Sequence, residues 1–158
     1  MAQKVLGEDH PKTLIMLHNV GHTYGIMGHS RQALDLLEKA YAGECRTLGA
    51  DHPSTLTTLG DLAVNYDGIG DHVRALEIKK QVYEAQCRIL GKEHPNTLLT
   101  LGNMGYSYSV LGDLEKALQL RQEAYEAQCR VLGRDHVNTR FTAGKISELK
   151  EKLEKQNR

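Results

Sequence analysis

Gly91-Lys92-Glu93-His94-Pro95-Asn96-Thr97-Leu98 decides the fold, because the chain states it at a fixed interval. Gly49-Ala50-Asp51-His52-Pro53-Ser54-Thr55-Leu56 stands 42 positions earlier, and Gly7-Glu8-Asp9-His10-Pro11-Lys12-Thr13-Leu14 stands 84 earlier. Gly133-Arg134-Asp135-His136-Val137-Asn138-Thr139 follows 42 positions later. Further ladders keep the same period: Gly28, Gly70 and Gly112; Ala33, Ala75 and Ala117; Tyr41, Tyr83 and Tyr125; Cys45, Cys87 and Cys129. Residues 50–91 and 92–133 agree at about half their positions. A fixed period of this length marks a solenoid, in which each unit buries its apolar face against its neighbours.

The punctuation within one unit predicts two helices. Proline suits the first helical position, where its missing N–H would have had no partner. The acidic residue just before the histidine that precedes this position (Asp9, Asp51, Glu93, Asp135) suits the positive end of the helix dipole. The first helix is therefore expected at Pro11–Met27, Pro53–Ile69 and Pro95–Leu111. In the second unit Leu56, Leu59, Leu62, Ala63 and Tyr66 keep the spacing of one helical face. Gly28, Gly70 and Gly112 supply the left-handed residue that ends it. Asp71 and Asp113 are N-caps for the second helix, with Ser30 in that role in the first unit. That helix is expected at Ser30–Leu48, Asp71–Leu90 and Asp113–Leu132. Its apolar stripe is read as Ala33, Leu36, Ala40, Tyr41 and Leu48 with their echoes, the small alanines allowing close helix approach.

Two helices joined by a short turn, repeated, carry a resemblance. Val20-Gly21, Tyr24, Gly28 and Ala33, then Leu62-Ala63, Tyr66, Gly70 and Ala75, then Met104-Gly105, Tyr108, Gly112 and Ala117 resemble the tetratricopeptide repeat. The 42-residue period with its Leu-Gly-x-Asp/Glu-His-Pro-x-Thr-Leu signature is similar to the longer-helix subtype of kinesin light chains and nephrocystin-like proteins. The resemblance implies an all-α fold, a right-handed α-solenoid of antiparallel helix pairs. The whole chain reads as one solenoid. Residues 1–7 look like the end of a truncated preceding helix, and 8–49, 50–91 and 92–133 are three helix-turn-helix repeats. Residues 134–158 read as a C-terminal capping helix, since Val137 and Arg140 replace the proline and core leucine and only Ile146, Leu149 and Leu153 interrupt the charge.

Composition restricts the function classes. Twenty basic and twenty acidic residues give a formal net charge of zero, so no bulk field draws nucleic acid or an anionic membrane. No run of about 18 apolar residues spans a membrane. The three cysteines recur at equivalent positions on units about 10 Å apart, whereas a disulfide needs Cα atoms within about 7 Å. They read as small half-buried residues of a reducing, cytoplasmic protein.

Catalytic signals are absent. His10, His52, His94 and His136 recur at a turn, so they form a ladder along an edge and do not converge; capping and turn geometry account for them. His18 and His22, at i and i+4, share a helix face as two-histidine metal sites do. No glutamate follows His18 and no third ligand stands nearby in sequence. They are expected to be a polar pair facing a groove, with a metal-dependent enzyme as the minor alternative. No phosphate loop or nucleophile elbow appears. The expectation is no enzyme, no cofactor and no metal.

The resemblance then implies surface recognition, with the first helices lining a concave groove. The groove residues would be Ile15, His18, Asn19 and His22 from the first unit, Thr57, Asp61 and Val64 from the second, and Leu99, Asn103, Tyr106 and Val110 from the third. Asn19 and Asn103 match the family's asparagine that holds a peptide backbone, and Asp61 departs from it. The groove is rather apolar and short of cations, so a partner protein or peptide with apolar anchors is expected, without nucleic acid or membrane. Helix-B charges (Glu38, Lys39, Arg74, Lys79, Lys80, Glu115, Lys116, Arg121) are assigned to a solvated convex face. Gly60, Gly102 and Gly144 inside helices leave two readings open: bare backbone making room for a ligand or a neighbouring helix, or a tolerated cost of about 1 kcal/mol each. A second function class is a scaffolding array that forms a homo-oligomer by end-to-end or groove contacts within a larger signalling or transport protein.

Overall fold

The computed structural model describes residues 7–156. The expected helix end over residues 1–6 lies outside the described residues. Among the latter the regular structure is helical throughout: α1 (Pro11–Ile26), α2 (Ser30–Thr47), α3 (Pro53–Gly68), α4 (His72–Ile89), α5 (Pro95–Val110), α6 (Leu114–Val131) and α7 (Val137–Gln156). Each expected helix end lies within a residue or so of the observed one, because the punctuation acts through backbone geometry. Gly28, Gly70 and Gly112 take φ of 79°, 86° and 91°. The next residue's N–H then reaches back to close the helix, His29 to Tyr24 O at 2.9 Å and Asp113 to Tyr108 O at 3.0 Å.

The recurrent histidine is the N-cap of the first helix in each unit. Its Nδ1 accepts the N–H two residues on, from Lys12, Ser54, Asn96 and Asn138, at 3.2 Å each time. The acidic residue beside it also anchors the second helix: Arg46 Nε donates to Asp9 at 3.1 Å and Arg130 Nη2 to Glu93 at 2.8 Å. That guanidinium holds the Asp9 carboxyl below its ordinary range. Asp71 and Asp113 cap as expected, accepting from Arg74 N–H and Lys116 N–H. Ser30 does not: it is the first helical residue, and the capping residue is His29 with no side-chain bond. Its hydroxyl instead packs where Gly68 leaves room.

The chain divides into two compact units between Ile78 and Lys79, within α4. In the first, α2 packs between α1 and α3. Leu59, Leu62, Ala63 and Tyr66 of α3 are buried as expected, with Leu56 half-buried. On α2 the expected stripe needs correction. Ala33 and Ala40 are buried, but Leu36 and Tyr41 are only half-buried and Leu48 is exposed, while Leu34 and Leu37 carry the core. A helix covered on two sides buries more than one stripe.

In the second unit α6 packs against both α5 and α7, and Leu149 of α7 joins Leu114 and Ala117 in its core, with Leu153 alongside. Two helix crossings lie at small residues. A Cβ added at Gly21 would stand 3.3 Å from Ala33 O, and one at Gly105 would stand 3.2 Å from Ala117 O. The three cysteines are free and half-buried.

Candidate interaction surface

Residues at i, i+3, i+4 and i+7 of a helix share a face, so the uncovered side of each first helix is set by what its packed side leaves over. In the first unit α1 presents Ile15, Asn19 and His22 to solvent, and α3 presents Thr57 and Val64. His18 and Asp61 lie half-buried between them. Both imidazoles turn to one oxygen: His18 Nε2 and His22 Nδ1 each donate to Asp61 Oδ2 at 3.0 Å, their rings stacked with centroids 6.0 Å apart. An ionised carboxylate only accepts, so both ring nitrogens carry their protons toward it. The polar partner that neighbouring sequence did not supply thus comes from the next repeat. Among the described residues no group of three or more His, Cys, Asp or Glu is arranged to hold a metal ion.

Glu44 lies behind this cluster, 5% exposed, with no hydrogen-bond partner for Oε2 among the described residues. Burial pushes its carboxyl up, against the opposing pull of Thr58, His18 and His52. The next two units carry Gln86 and Gln128 at this position, and Gln86 accepts from Thr100 Oγ1 at 2.7 Å. A raised carboxyl disfavours the charged form in the fold, so Glu44 helps least at neutral pH and its cost vanishes as pH falls below the unfolded value of about 4.3. Glu44→Gln is therefore expected to raise the melting temperature at pH 7. The gain should shrink toward pH 4 in parallel thermal melts.

In the second unit α5 exposes Leu99, Asn103, Tyr106 and Val110. Asn103, Tyr106 and Val110 border a cavity of about 410 Å³, which Arg121 of α6 and Phe141, Lys145 and Lys152 of α7 complete. Two of the charges assigned to a solvated face are found inside. Lys79 and Arg121 are each only 6% exposed. Lys79 Nζ donates to Ser107 Oγ at 2.7 Å and lies 5.6 Å from the Tyr106 ring centroid. Glu38 and Arg74 are engaged as well: Tyr66 O–H donates to Glu38, and the Arg74 guanidinium sits 4.4 Å over the Tyr66 ring. Burial and the Glu38 carboxylate push Tyr66 up to about 12.

The two readings of the helix glycines now divide by position. Arg121 runs beside α5 where side chains are missing: a Cβ at Gly105 would come within 2.9 Å of Arg121 Cγ, and one at Gly102 within 3.9 Å of its Nη1. Gly60 and Gly144 face open space. Phe141 and Lys145 were not among the expected surface residues, although they stand 42 positions after Leu99 and Asn103. Their departure from the repeat's residue types concealed the register.

Helix pairs repeated at a fixed period, with an uncovered face on each first helix, define an α-solenoid of the kind that mediates protein–protein contact. Two tetratricopeptide repeat models match, one over residues 1–43 and the other over 55–96 and again over 97–138. The chain belongs to the tetratricopeptide repeat family and is a kinesin-light-chain-like array, a protein–protein interaction module. It is similar to the nearly identical TPR-like repeats of a Podosopora anserina protein described as a kinesin light chain. The identity there is 27% and the TM-score 0.78, over 89% of this chain and 66% of that one. It also superimposes on BtubC (BKLC) from P. vanneervenii at 15% identity and TM-score 0.79, over 88% of this chain and 56% of that one. The apo form of RapI aligns at 18% identity and TM-score 0.77, over 91% of this chain and 50% of that one. The chain thus spans half to two thirds of these proteins. No curated protein sequence is found to match it. No helix among the described residues is long and apolar enough to cross a membrane.

Proposed function

We propose that the chain binds extended or helical peptide segments of a partner protein on the uncovered first-helix faces of each unit, those of α1 and α3 in the first and that of α5 in the second. One observation carries this reading. Apolar side chains that a monomer gains nothing by exposing (Ile15, Val64, Leu99, Tyr106, Val110) recur on these helices beside the amides of Asn19 and Asn103. Such apolar patches mark interaction sites, and an amide can both donate to and accept from a peptide backbone. Asp61 has a different part, holding His18 and His22 in place, so the backbone contacts fall to the two asparagines. The three free thiols suit a reducing compartment such as the cytoplasm.

A peptide-display selection on the whole chain tests this, run beside an Asn19→Ala/Asn103→Ala variant with Asp61 left intact. Enriched peptides are expected to bind the parent at least about ten-fold more tightly than the variant, a difference of about 1.4 kcal/mol. Peptides that bind both equally would overturn the assignment of these faces.

A further inference from the structure

The eight histidines divide by the part their rings play. His18 and His22 turn to Asp61, and His72 turns to Asp67 Oδ1 at 2.9 Å, so a proton gained at these rings leaves a charged pair in place. His29 makes no side-chain capping bond. His10, His52, His94 and His136 do the reverse of the first three. Each offers a bare Nδ1 to a backbone N–H at 3.2 Å, and a ring protonated at both nitrogens can only donate. A proton at any of these four therefore removes the capping bond and sets a positive charge against the positive end of a helix.

The turns so capped carry a cost of their own. Three residues beyond each ring stands a threonine (Thr13, Thr55, Thr97, Thr139), 2% exposed or less, and among the described residues none of the four hydroxyls has a hydrogen-bond partner. A buried hydroxyl without a partner works against the turn that buries it. Two of the second helices are capped differently. Asp71 and Asp113 accept from Arg74 and Lys116 N–H, and an aspartate keeps its acceptor down to about pH 4.

The charges around the four rings do not prevent protonation. Glu8, Asp9 and Lys12 flank His10, and Arg46 of α2 holds Asp9. His52 stands beside Asp51 and acts through space on Glu44 of α2. Lys92 and Glu93 precede His94, and Arg130 of α6 holds Glu93. Arg134 and Asp135 precede His136. Both signs of charge surround the set, and what the proton takes away at every member is the acceptor.

We propose that these four caps make the array acid-sensitive. As pH falls through the imidazole range, the entries of α1, α3, α5 and α7 loosen together, two in each unit, while the tie from His18 and His22 to Asp61 holds. Free imidazole takes its proton near pH 6.5, so the capping contribution is whole above about that value and is lost as pH falls below it. The uncovered faces begin beside these turns, at Ile15, Thr57 and Leu99. The inference does not depend on what those faces bind.

The test is an NMR titration of the isotopically labelled full chain from about pH 8 to about pH 5, the range in which imidazoles titrate. At its upper end the four capping rings should show a bare Nδ1 and a protonated Nε2. As they take their protons, the amide protons of Lys12, Ser54, Asn96 and Asn138 should shift with the same midpoints. Those of Arg74 and Lys116, capped by aspartates, should stay. Denaturant titrations over the same range compare the parent with His10→Asn/His52→Asn/His94→Asn/His136→Asn, because asparagine caps through an oxygen that does not titrate. From one end of the range to the other, the parent's unfolding equilibrium should rise about five-fold per cap relative to this variant, or about 25-fold for the two caps of a unit. His29→Asn, at a ring without a capping bond, should keep the parent's acid profile. Should the four changes together prevent folding, His52→Asn and His94→Asn made singly should each remove one five-fold step. The proposal fails if the four amides stay while the rings take their protons. It also fails if the parent and the asparagine variants lose stability alike toward acid.

Discussion

Leu37→Ala is expected to cost the first unit about 2–5 kcal/mol, the range for deleting a leucine side chain from a packed core. Leu37 is fully buried, and its environment cannot relax inward. An added Cβ at Gly21 would stand 2.8 Å from Leu37 Cγ, so the leucine fills the space that this glycine leaves on α1. α2 is held between α1 and α3, which keeps both walls of the resulting hole in place. In denaturant titrations the midpoint should fall sharply. Leu36→Ala, one position away and only half-buried, should cost much less and serves as the control. Equal losses for the two would mean that the packing around Leu37 is wrong.

Gly105→Leu is expected to destabilise the second unit by about 3 kcal/mol, at the upper end for overpacking. The new Cβ alone would sit 2.9 Å from Arg121 Cγ and 3.2 Å from Ala117 O. The arginine stem has some freedom to move, but the α6 backbone has little, so the helices must part and the Leu114–Ala117–Leu149 core opens with them. Gly60→Ala makes the opposite prediction. Nothing lies within 4 Å of a Cβ there, and alanine in place of a helix glycine should add about 0.5–1 kcal/mol. Thermal melts of the two variants against the parent measure whether a helix glycine in this repeat is a crossing point or an unfilled position.

Helix boundaries were legible in the sequence because glycine, proline and a capping side chain act locally. Gly28 or Pro53 has the same consequence whatever packs around it. The α2 core was read less well. Counting one apolar stripe selected Leu36 and Leu48, but a helix with neighbours on two sides buries Leu34 and Leu37 instead. The uncovered faces of the first helices could be listed from the repeat register. The link between His18, His22 and Asp61 could not, because 43 and 39 residues separate the partners and the register aligns Asp61 with Asn19 instead of with either histidine. Arg121 and Lys79 escaped for a different reason. A long cationic side chain on a second helix is usually solvated, and only the absent side chains at Gly102 and Gly105 let Arg121 pass inward.

One register position thus holds Leu37, Lys79 and Arg121 in turn, on the helix that does not itself carry the uncovered face. Two arrays of this kind could be identical along every first helix and still prefer chemically different partners. Classifying such arrays by the residues of the first helices alone would then group proteins of unlike specificity. An engineer could change the preference of one unit by a single exchange beneath the surface, leaving the visible contact residues untouched.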